Sequence, residues 1–311
     1  MRLLALVVAG TFGLAAQAQE PPDASKPAQD GSNTRIQVEV NRVNILFTVT
    51  DKKGRFITDL NKGDFQVLEN KLPQPIMEFA AESDLPLRLA VLIDTSNSIR
   101  DRFRFIQEAA VEFITSVMRP KVDKALVVSF DSSAELVSDL DGDPEKLAAL
   151  VRELRPGGGT SLFDAIFFAC RDKLSWEQPR HKFRRAMIIL SDGDDNQSQK
   201  SREQALEMAQ KADVVIYTIS TNITRVETDG DKILKYLASE TGGQAFFPFK
   251  VEDLSQSFEN IANELRHQYN IYYRPEHMKT DGSYQAIAVH VKDRKDLVVR
   301  ARKGYYAPRA Q

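Results

Sequence analysis

Several things are scarce in this chain, and each scarcity excludes something. There is one cysteine among 311 residues, Cys170, so no intramolecular disulfide can form. It sits in the apolar stretch from Leu162 to Leu174, where a small buried thiol is expected rather than a nucleophile. The four histidines, His181, His267, His277 and His290, are scattered without ligand spacing and carry no metal or catalytic argument. An excess of one charge is missing too. Lys and Arg number 42 and Asp and Glu 44, a net charge of -2, which argues against general affinity for nucleic acid or anionic lipid. Beyond the first residues no apolar run is long enough to span a bilayer.

The exception is the start. Met1-Arg2 is positive, Leu3 to Ala15 is apolar, and Ala16-Gln17-Ala18 places small residues at both positions that determine cleavage. Residues 1–18 therefore read as a secretory signal cut before Gln19. The run is shorter than the roughly 20 residues a spanning helix needs, and no cysteine near the cut offers a lipid anchor. The mature chain is expected to be exported, periplasmic or secreted, without a transmembrane segment. Residues 19–34, rich in Pro, Asp, Ser, Gln and Gly, read as a flexible leader.

Three further regions follow. Residues 35–84 are β-rich: Ile36, Val38 and Val40 alternate with polar residues, then Val43, Ile45, Phe47 and Val49, then Phe65 and Val67. Turns are expected at Asp51-Lys52-Lys53-Gly54 and Glu69-Asn70-Lys71, while Pro73 and Pro75 bar their segment from a central strand. Residues 85–266 alternate strand and helix. Leu89 to Ile93 is a continuous apolar run, as in a strand covered on both faces, and Phe103, Ile106, Ala110, Phe113, Ile114 and Val117 fall at helical spacing. Pro144 to Leu154 and Leu162 to Leu174 read as helices, with Leu136 to Leu140 as an edge strand. Residues 267–311 return to strand alternation at Tyr269, Ile271, Tyr273 and at Ile287, Val289, Val291. The expected fold is α/β, a doubly wound, mostly parallel, Rossmann-like sheet wrapped by helices. Because domain termini often lie close together, 35–84 and 267–311 are expected to form one small β-sandwich beside it.

Three distant segments carry oxygens suited to a hard cation. Asp94-Thr95-Ser96-Asn97-Ser98 follows one apolar run, Thr160 follows Gly157-Gly158-Gly159, and Asp192-Gly193 follows another apolar run. In an open parallel sheet such loops gather beyond the carboxyl ends of the strands. Asp94, Ser96, Ser98, Thr160 and Asp192 offer two carboxylates and three hydroxyls, with neither sulfur nor imidazole. That set suits Mg²⁺, Mn²⁺ or Ca²⁺ better than zinc, and a hydroxyl-rich shell that keeps waters favours Mg²⁺. Taken singly, each segment is also an ordinary helix cap or turn. Asp164 is a further candidate, for the metal's surroundings or for the first turn of its helix. Asp194 and Asp195 are expected to form a solvated acidic rim, and Arg300, Arg302 and Lys303 a solvated strand face. Trp176 is left open, either to pack or to bind.

From about Leu87 to Leu265 the chain resembles a von Willebrand factor type A domain. Asp94-Thr95-Ser96-Asn97-Ser98 matches that family's D-x-S-x-S signature, Thr160 its separate threonine, and Asp192 its later aspartate. The resemblance implies a metal-ion-dependent adhesion site in which Ser96, Ser98 and Thr160 ligate directly and the two aspartates act through water. It implies a protein partner that contributes an Asp or Glu carboxylate, and no enzymatic activity or catalytic residue. Phe47 to Asp51, Asp64 to Val67 and Arg300 to Tyr306 resemble flanks of bacterial secreted proteins of this type. Two other readings stand beside adhesion. One is a metal-dependent hydrolase with Asp194 or Asp195 as base, and the other is a structural envelope component with a vestigial site.

Overall fold

The computed structural model describes residues 42–81, 85–177, 182–222, 224, 226–248 and 252–309. The signal and leader segments, the alternation at Ile36, Val38 and Val40, and His181 lie outside these residues. In chain order come β1 (Val43–Asp51), β2 (Phe65–Glu69), β3 (Leu72–Gln74) and β4 (Ile76–Ala80). Then follow β5 (Leu87–Asp94), α1 (Phe103–Val117), β6 (Lys124–Phe130), β7 (Ala134–Asp141), α2 (Pro144–Glu153) and α3 (Leu162–Phe168). After these are β8 (Arg184–Ser191), α4 (Arg202–Lys211), β9 (Val214–Ser220), α5 (Asp229–Thr241), β10 (Ala245–Phe246) and α6 (Glu252–Arg266). The chain closes with β11 (Tyr269–Tyr273), β12 (Tyr284–Val291), β13 (Leu297–Ala301) and β14 (Gly304–Tyr306).

The central sheet has the order β10-β9-β8-β5-β6-β7. Its neighbours are parallel except β7, which pairs antiparallel to β6 at the edge. Every residue of β5 and of β8 is buried, because helices cover both faces. On one face α1 and α6 pack Ile106, Phe113, Phe258 and Ile261 against Leu89, Val91 and Ile188. On the other, α3, α4 and α5 pack Leu162, Ile166, Leu206 and Leu234 against Ala90, Leu92 and Met187. Helix ends follow local chemistry. Asp143 accepts from Glu145 N and Lys146 N in front of Pro144, and Thr228 and Asp231 form a reciprocal capping box on α5, satisfying donors that the helix leaves free.

Where one long helix was expected from Leu162 to Leu174, α3 ends at Phe168 and the chain passes through a π-turn at Ala169–Lys173 and a 3-10 turn at Leu174–Trp176. The wider turn keeps Ala169, Cys170 and Leu174 all at 0% exposure, which a regular helix passing off the sheet would not do. Trp176 beyond it is 76% exposed. Burial pushes the Cys170 thiol far above its usual range, so it is inert.

Early and late strands interleave in two antiparallel four-stranded sheets, β13-β1-β11-β4 and β14-β12-β2-β3. Their inner faces meet in an aromatic cluster: Phe47 stacks on Tyr269 at 5.5 Å between centroids and meets Phe65 edge-on at 5.1 Å. The Tyr269 hydroxyl donates to Ile57 O and accepts from Leu60 N, fixing the loop after β1. β3, which holds Pro73, is an edge strand, and β14 is a strand beyond those expected. Arg300 and Arg302 depart from the expected solvated face. Arg300 makes a two-pronged contact with buried Glu264 on α6, and Arg302 bridges Asp213 and the Asn44 carbonyl. Both are half-buried, because the outer face of the β1 sheet lies against the helical layer. Phe47→Ala, which opens a cavity between strands from both ends of the chain, is expected to cost about 3–5 kcal/mol by urea unfolding. A loss below about 1 kcal/mol would contradict the shared core.

Candidate metal centre

β5 and β8 are neighbours, with Ile93 opposite Leu190. One step further on, Asp94 and Ser191 therefore lie side by side at the carboxyl ends of the strands. This is where the strand order reverses: β6 and β7 follow β5 to one side, β8 and β9 to the other, the position at which open sheets form crevices. Ser191 Oγ donates to Asp94 Oδ2 at 2.6 Å, and Ser96 N donates to Oδ1 at 2.8 Å. Asp94 has no exposure. The chain then leaves the sheet, and the Ser96 and Ser98 hydroxyls lie 2.9 Å apart, Ser96 buried and Ser98 exposed. Together they form a line of oxygens from the sheet end towards solvent.

The second segment is laced to the first through the backbone. Gly157 N donates to Thr95 O at 2.6 Å, and Asn97 N to Gly158 O at 3.1 Å. Gly158 has φ +80°, and a Cβ on Gly159 would lie 2.6 Å from Gln197 Cγ, so side chains at either place would push the loop off its neighbours. Gly157 has open space instead; its contribution is its N–H. Thr160 is buried and is held by the third segment, with its N–H donating to Asn196 Oδ1 and its carbonyl accepting from Asn196 N and Gln197 N. Asp192 is half-buried, with Oδ1 accepting from Asp194 N at 3.1 Å. The turn at Gly193 (φ +83°) packs so tightly on the start of α5 that a Cβ there would meet Gly230 O at 2.3 Å.

Asp94, Ser96 and Ser98 thus share a bonded cluster, Asp192 is close enough to raise the Asp94 pKa, and Thr160 stands on a loop tied to both neighbouring segments. Asp164 and Asp195 serve other ends. Asp164 accepts from Gln199 N and Lys200 N, while Asp195 caps α3 through Phe163 N and also accepts from Ser198 Oγ. They brace the loop after β8 rather than face solvent as a rim. Asp194 is exposed, and its carboxyl is raised by partial burial and by Asp192, Asp229 and Asp231. The sequence reading missed Ser191 and Asn196. Ser191 shows in the sequence only as a polar residue ending an apolar strand; that it meets Asp94 follows from the pairing of β5 with β8.

Burial pushes the Asp94 carboxyl up to about 6, with nearby Asp192 adding to the rise. The arginines that follow Asp94 in the chain are engaged elsewhere, Arg100 with Asn97 Oδ1 and Arg102 with the Thr221 carbonyl. Among the described residues no three His, Cys, Asp or Glu side chains converge as a metal group, so hydroxyls would have to complete any shell. Two carboxylates to which no cationic side chain bonds among the described residues, beside paired hydroxyls, fit a hard divalent cation by donor chemistry. In metal-free protein the raised pKa means that the folded state holds a proton at Asp94 which the unfolded state has released, so this group's contribution to stability falls as pH rises from about 4 through about 6. Asp94→Asn removes that dependence and is expected to stabilise the metal-free protein at pH 7 by on the order of 2 kcal/mol, measured by urea unfolding between pH 4 and pH 8. An unchanged pH profile would contradict it.

Residues 89–264, more than half of the chain, match the von Willebrand factor type A domain. Human von Willebrand factor A domain-containing protein 3B is 26% identical over 162 residues, which cover 50% of this chain but 11% of that protein; the chain matches about a tenth of its relative's length. A solved structure described as von Willebrand factor type A from Catenulispora acidiphila superimposes with a TM-score of 0.50 at 12% identity, covering 88% of this chain and 75% of the other. Proximal thread matrix protein 1 from the mussel byssus, solved with a zinc-occupied MIDAS motif, gives a TM-score of 0.50 at 20% identity over 63% of this chain and 49% of its own. At these identities the two structures show the fold. The chain belongs to the von Willebrand factor type A domain family, whose members serve in general as protein-interaction modules.

Proposed function

We propose that this is an exported interaction module that holds a divalent cation, Mg²⁺ foremost, at the rim of its parallel sheet and captures a carboxylate from a protein partner. The observation that carries the reading is the buried Asp94 carboxylate beside Asp192, with hydrogen bonds from Ser191 and Ser96 and, among the described residues, no cationic side chain bonded to it. Ser96, Ser98 and Thr160 would hold the ion directly, and Asp94 and Asp192 would supply its charge compensation through water. A bound dication offers an external carboxylate a strong, directional contact. This chain's residues set the geometry: Ser191 and Ser96 N orient Asp94, and the backbone ties at Gly157, Gly158 and Asn196 fix the Thr160 loop. The oxygens that would touch the ion directly are neutral hydroxyls and water, with both carboxylates held one layer out, so the open position would favour an anionic ligand. The mussel protein carries zinc in its own motif; here an all-oxygen set favours the harder ions. Export rests on the segment Met1 to Ala18. No helix among the described residues is long and apolar enough to cross a membrane.

Mg²⁺ or Mn²⁺ at tenfold excess over Kd is expected to add about 1.4 kcal/mol of stability, raising Tm by a few degrees in calorimetry. An equal melt in millimolar metal and in chelator would count against a site. Thr160→Ala is expected to weaken Mn²⁺ binding, read by electron paramagnetic resonance, more than it lowers Tm, whereas parallel losses would make Thr160 a structural cap. Metal-dependent capture of a partner from envelope extract by the intact chain, lost in Asp94→Ala, tests the adhesion reading itself.

A further inference from the structure

The sandwich is open along one side. β12 and β13 are consecutive, yet they do not pair: β12 joins β2 and β14, and β13 joins β1 alone. Between them runs a groove of about 540 Å³, closed at one end by the carboxyl end of α5 at Gly242 and Gly243. The apolar side chains facing it are core side chains, with Val291, Leu297, Val299 and Ala301 partly buried against the sandwich interior.

One wall of this groove is a strand edge that no other strand among the described residues pairs with. Along β12, Asn70 N donates to Ala286 O and Lys292 N to Asp64 O, both at 2.8 Å, so the even-numbered residues direct their backbone groups to β2. The odd-numbered ones point the other way, as Ile287 N shows by donating to Lys303 O at 2.7 Å. β14 pairs only as far as Ala286. The N–H and C=O groups of Val289 and Val291 therefore face the groove, past the end of β14. Proteins ordinarily blunt or cover such an edge, since it is a template for another strand.

The charge along the groove has one sign. Arg294, Lys295, Arg300, Arg302 and Lys303 line it, and among the described residues no Asp or Glu does. Four of these reach carboxylates outside the lining, at Asp296, Glu264, Asp213 and Glu240. Lys295 is exposed in the β12–β13 turn and has no carboxylate partner among the described residues.

The geometry points to strand addition: the seam between β12 and β13 receives an extended segment of a partner protein in which apolar residues alternate with acidic ones. The segment's backbone pairs with Val289 and Val291, its apolar side chains close the sandwich over Leu297 and Val299, and its carboxylates face Lys295 and the neighbouring arginines. This surface uses none of the oxygens at the sheet rim and needs no metal.

The test uses the full chain and a dye-labelled heptapeptide alternating valine with aspartate and threonine, alongside a counterpart with lysine for aspartate. Fluorescence anisotropy is expected to show at least tenfold tighter binding of the acidic peptide, weakened several-fold by Lys295→Glu and unchanged by chelator. Hydrogen exchange is expected to slow at the Val289 and Val291 amides on binding, and to stay as it was at Ala288 and His290, which already pair with β2. Equal binding of the two peptides, dependence on metal, or binding without protection at Val289 and Val291 would overturn the proposal. So would slow exchange of those two amides in the free chain, which would mean that the seam is already filled, by the chain itself or, if protection rises with concentration, by a second copy.

Discussion

A carboxylate taken out of water must be compensated or protonated, and much of this molecule's rim can be understood as the consequence of where Asp94 has been put. The fold buries other acids as deeply. Asp123 has no exposure either, but Arg119 and Arg266 hold it, with backbone N–H groups from Leu87 and Arg119, and its pKa is lowered. Asp231 is 2% exposed and is satisfied by Ser220, Asn222 and Thr228, again with a lowered pKa. Asp94 receives a serine hydroxyl and one N–H but no guanidinium, and has Asp192 near it. Burial is the largest cause of its raised pKa, and the hydrogen bonds from Ser191 and Ser96 offset it only in part. Among the described residues no cationic side chain bonds to it, and the hydroxyls arranged outward from it are neutral oxygens that would coordinate a positive charge without cancelling it.

Precision at the rim comes from backbone rather than from long side chains. Thr95, Asn97, Gly157, Gly158, Thr160, Asn196 and Gln197 exchange main-chain bonds across three segments that run from Thr95 at one extreme to Gln197 at the other. Main-chain ties lose no side-chain rotamer freedom on forming, and they hold the Ser96–Ser98 pair at 2.9 Å. Asp164, Asp195 and Ser198 then fasten the loop behind Thr160 to the start of α3. An acid that looks like a ligand in the sequence can thus be a brace. Asp164 and Asp195 stand near the site, but their oxygens are already occupied by N–H groups and a hydroxyl.

What the sequence made legible was whatever local pattern determines. The runs Leu89 to Ile93 and Ala186 to Leu190 announce buried parallel strands, and the alternation at Tyr269, Ile271 and Tyr273 a half-buried one; Asp94, Thr160 and Asp192 follow as loop residues at strand ends. What stayed hidden depends on register and on contacts between layers. The pairing of Ile93 with Leu190 brings Ser191 to Asp94, and no run of neighbouring residues encodes that offset. Arg300 and Arg302 read as solvated because each strand residue was judged within its own sheet, whereas their partners lie outside it, Glu264 on α6 and Asp213 in the turn between α4 and β9. The π-turn after Phe168 was hidden for a related reason, since it is chosen by the curvature of the core that Cys170 and Leu174 must follow.

The sandwich and the rim sit at opposite ends of the same strands. Arg184 begins β8 and donates to Gln268, just before β11 of the sandwich, while Ser191 ends β8 at Asp94. Eight residues of extended chain separate the two by about 23 Å. Glu264 strengthens the attachment. Burial raises its pKa and Arg300 opposes the rise, so the pair is compensated across the junction, and Thr48 of β1 donates to the same carboxylate. One helix, α6, therefore carries a residue bonded to strands from both ends of the chain. A sandwich anchored in this way cannot drift relative to the parallel sheet without leaving a buried charge unpaired, an outcome that costs several kcal/mol. The first and last strands thus do more than cap the family domain: they fix the orientation of a second surface at the end of the molecule remote from the oxygens of the rim.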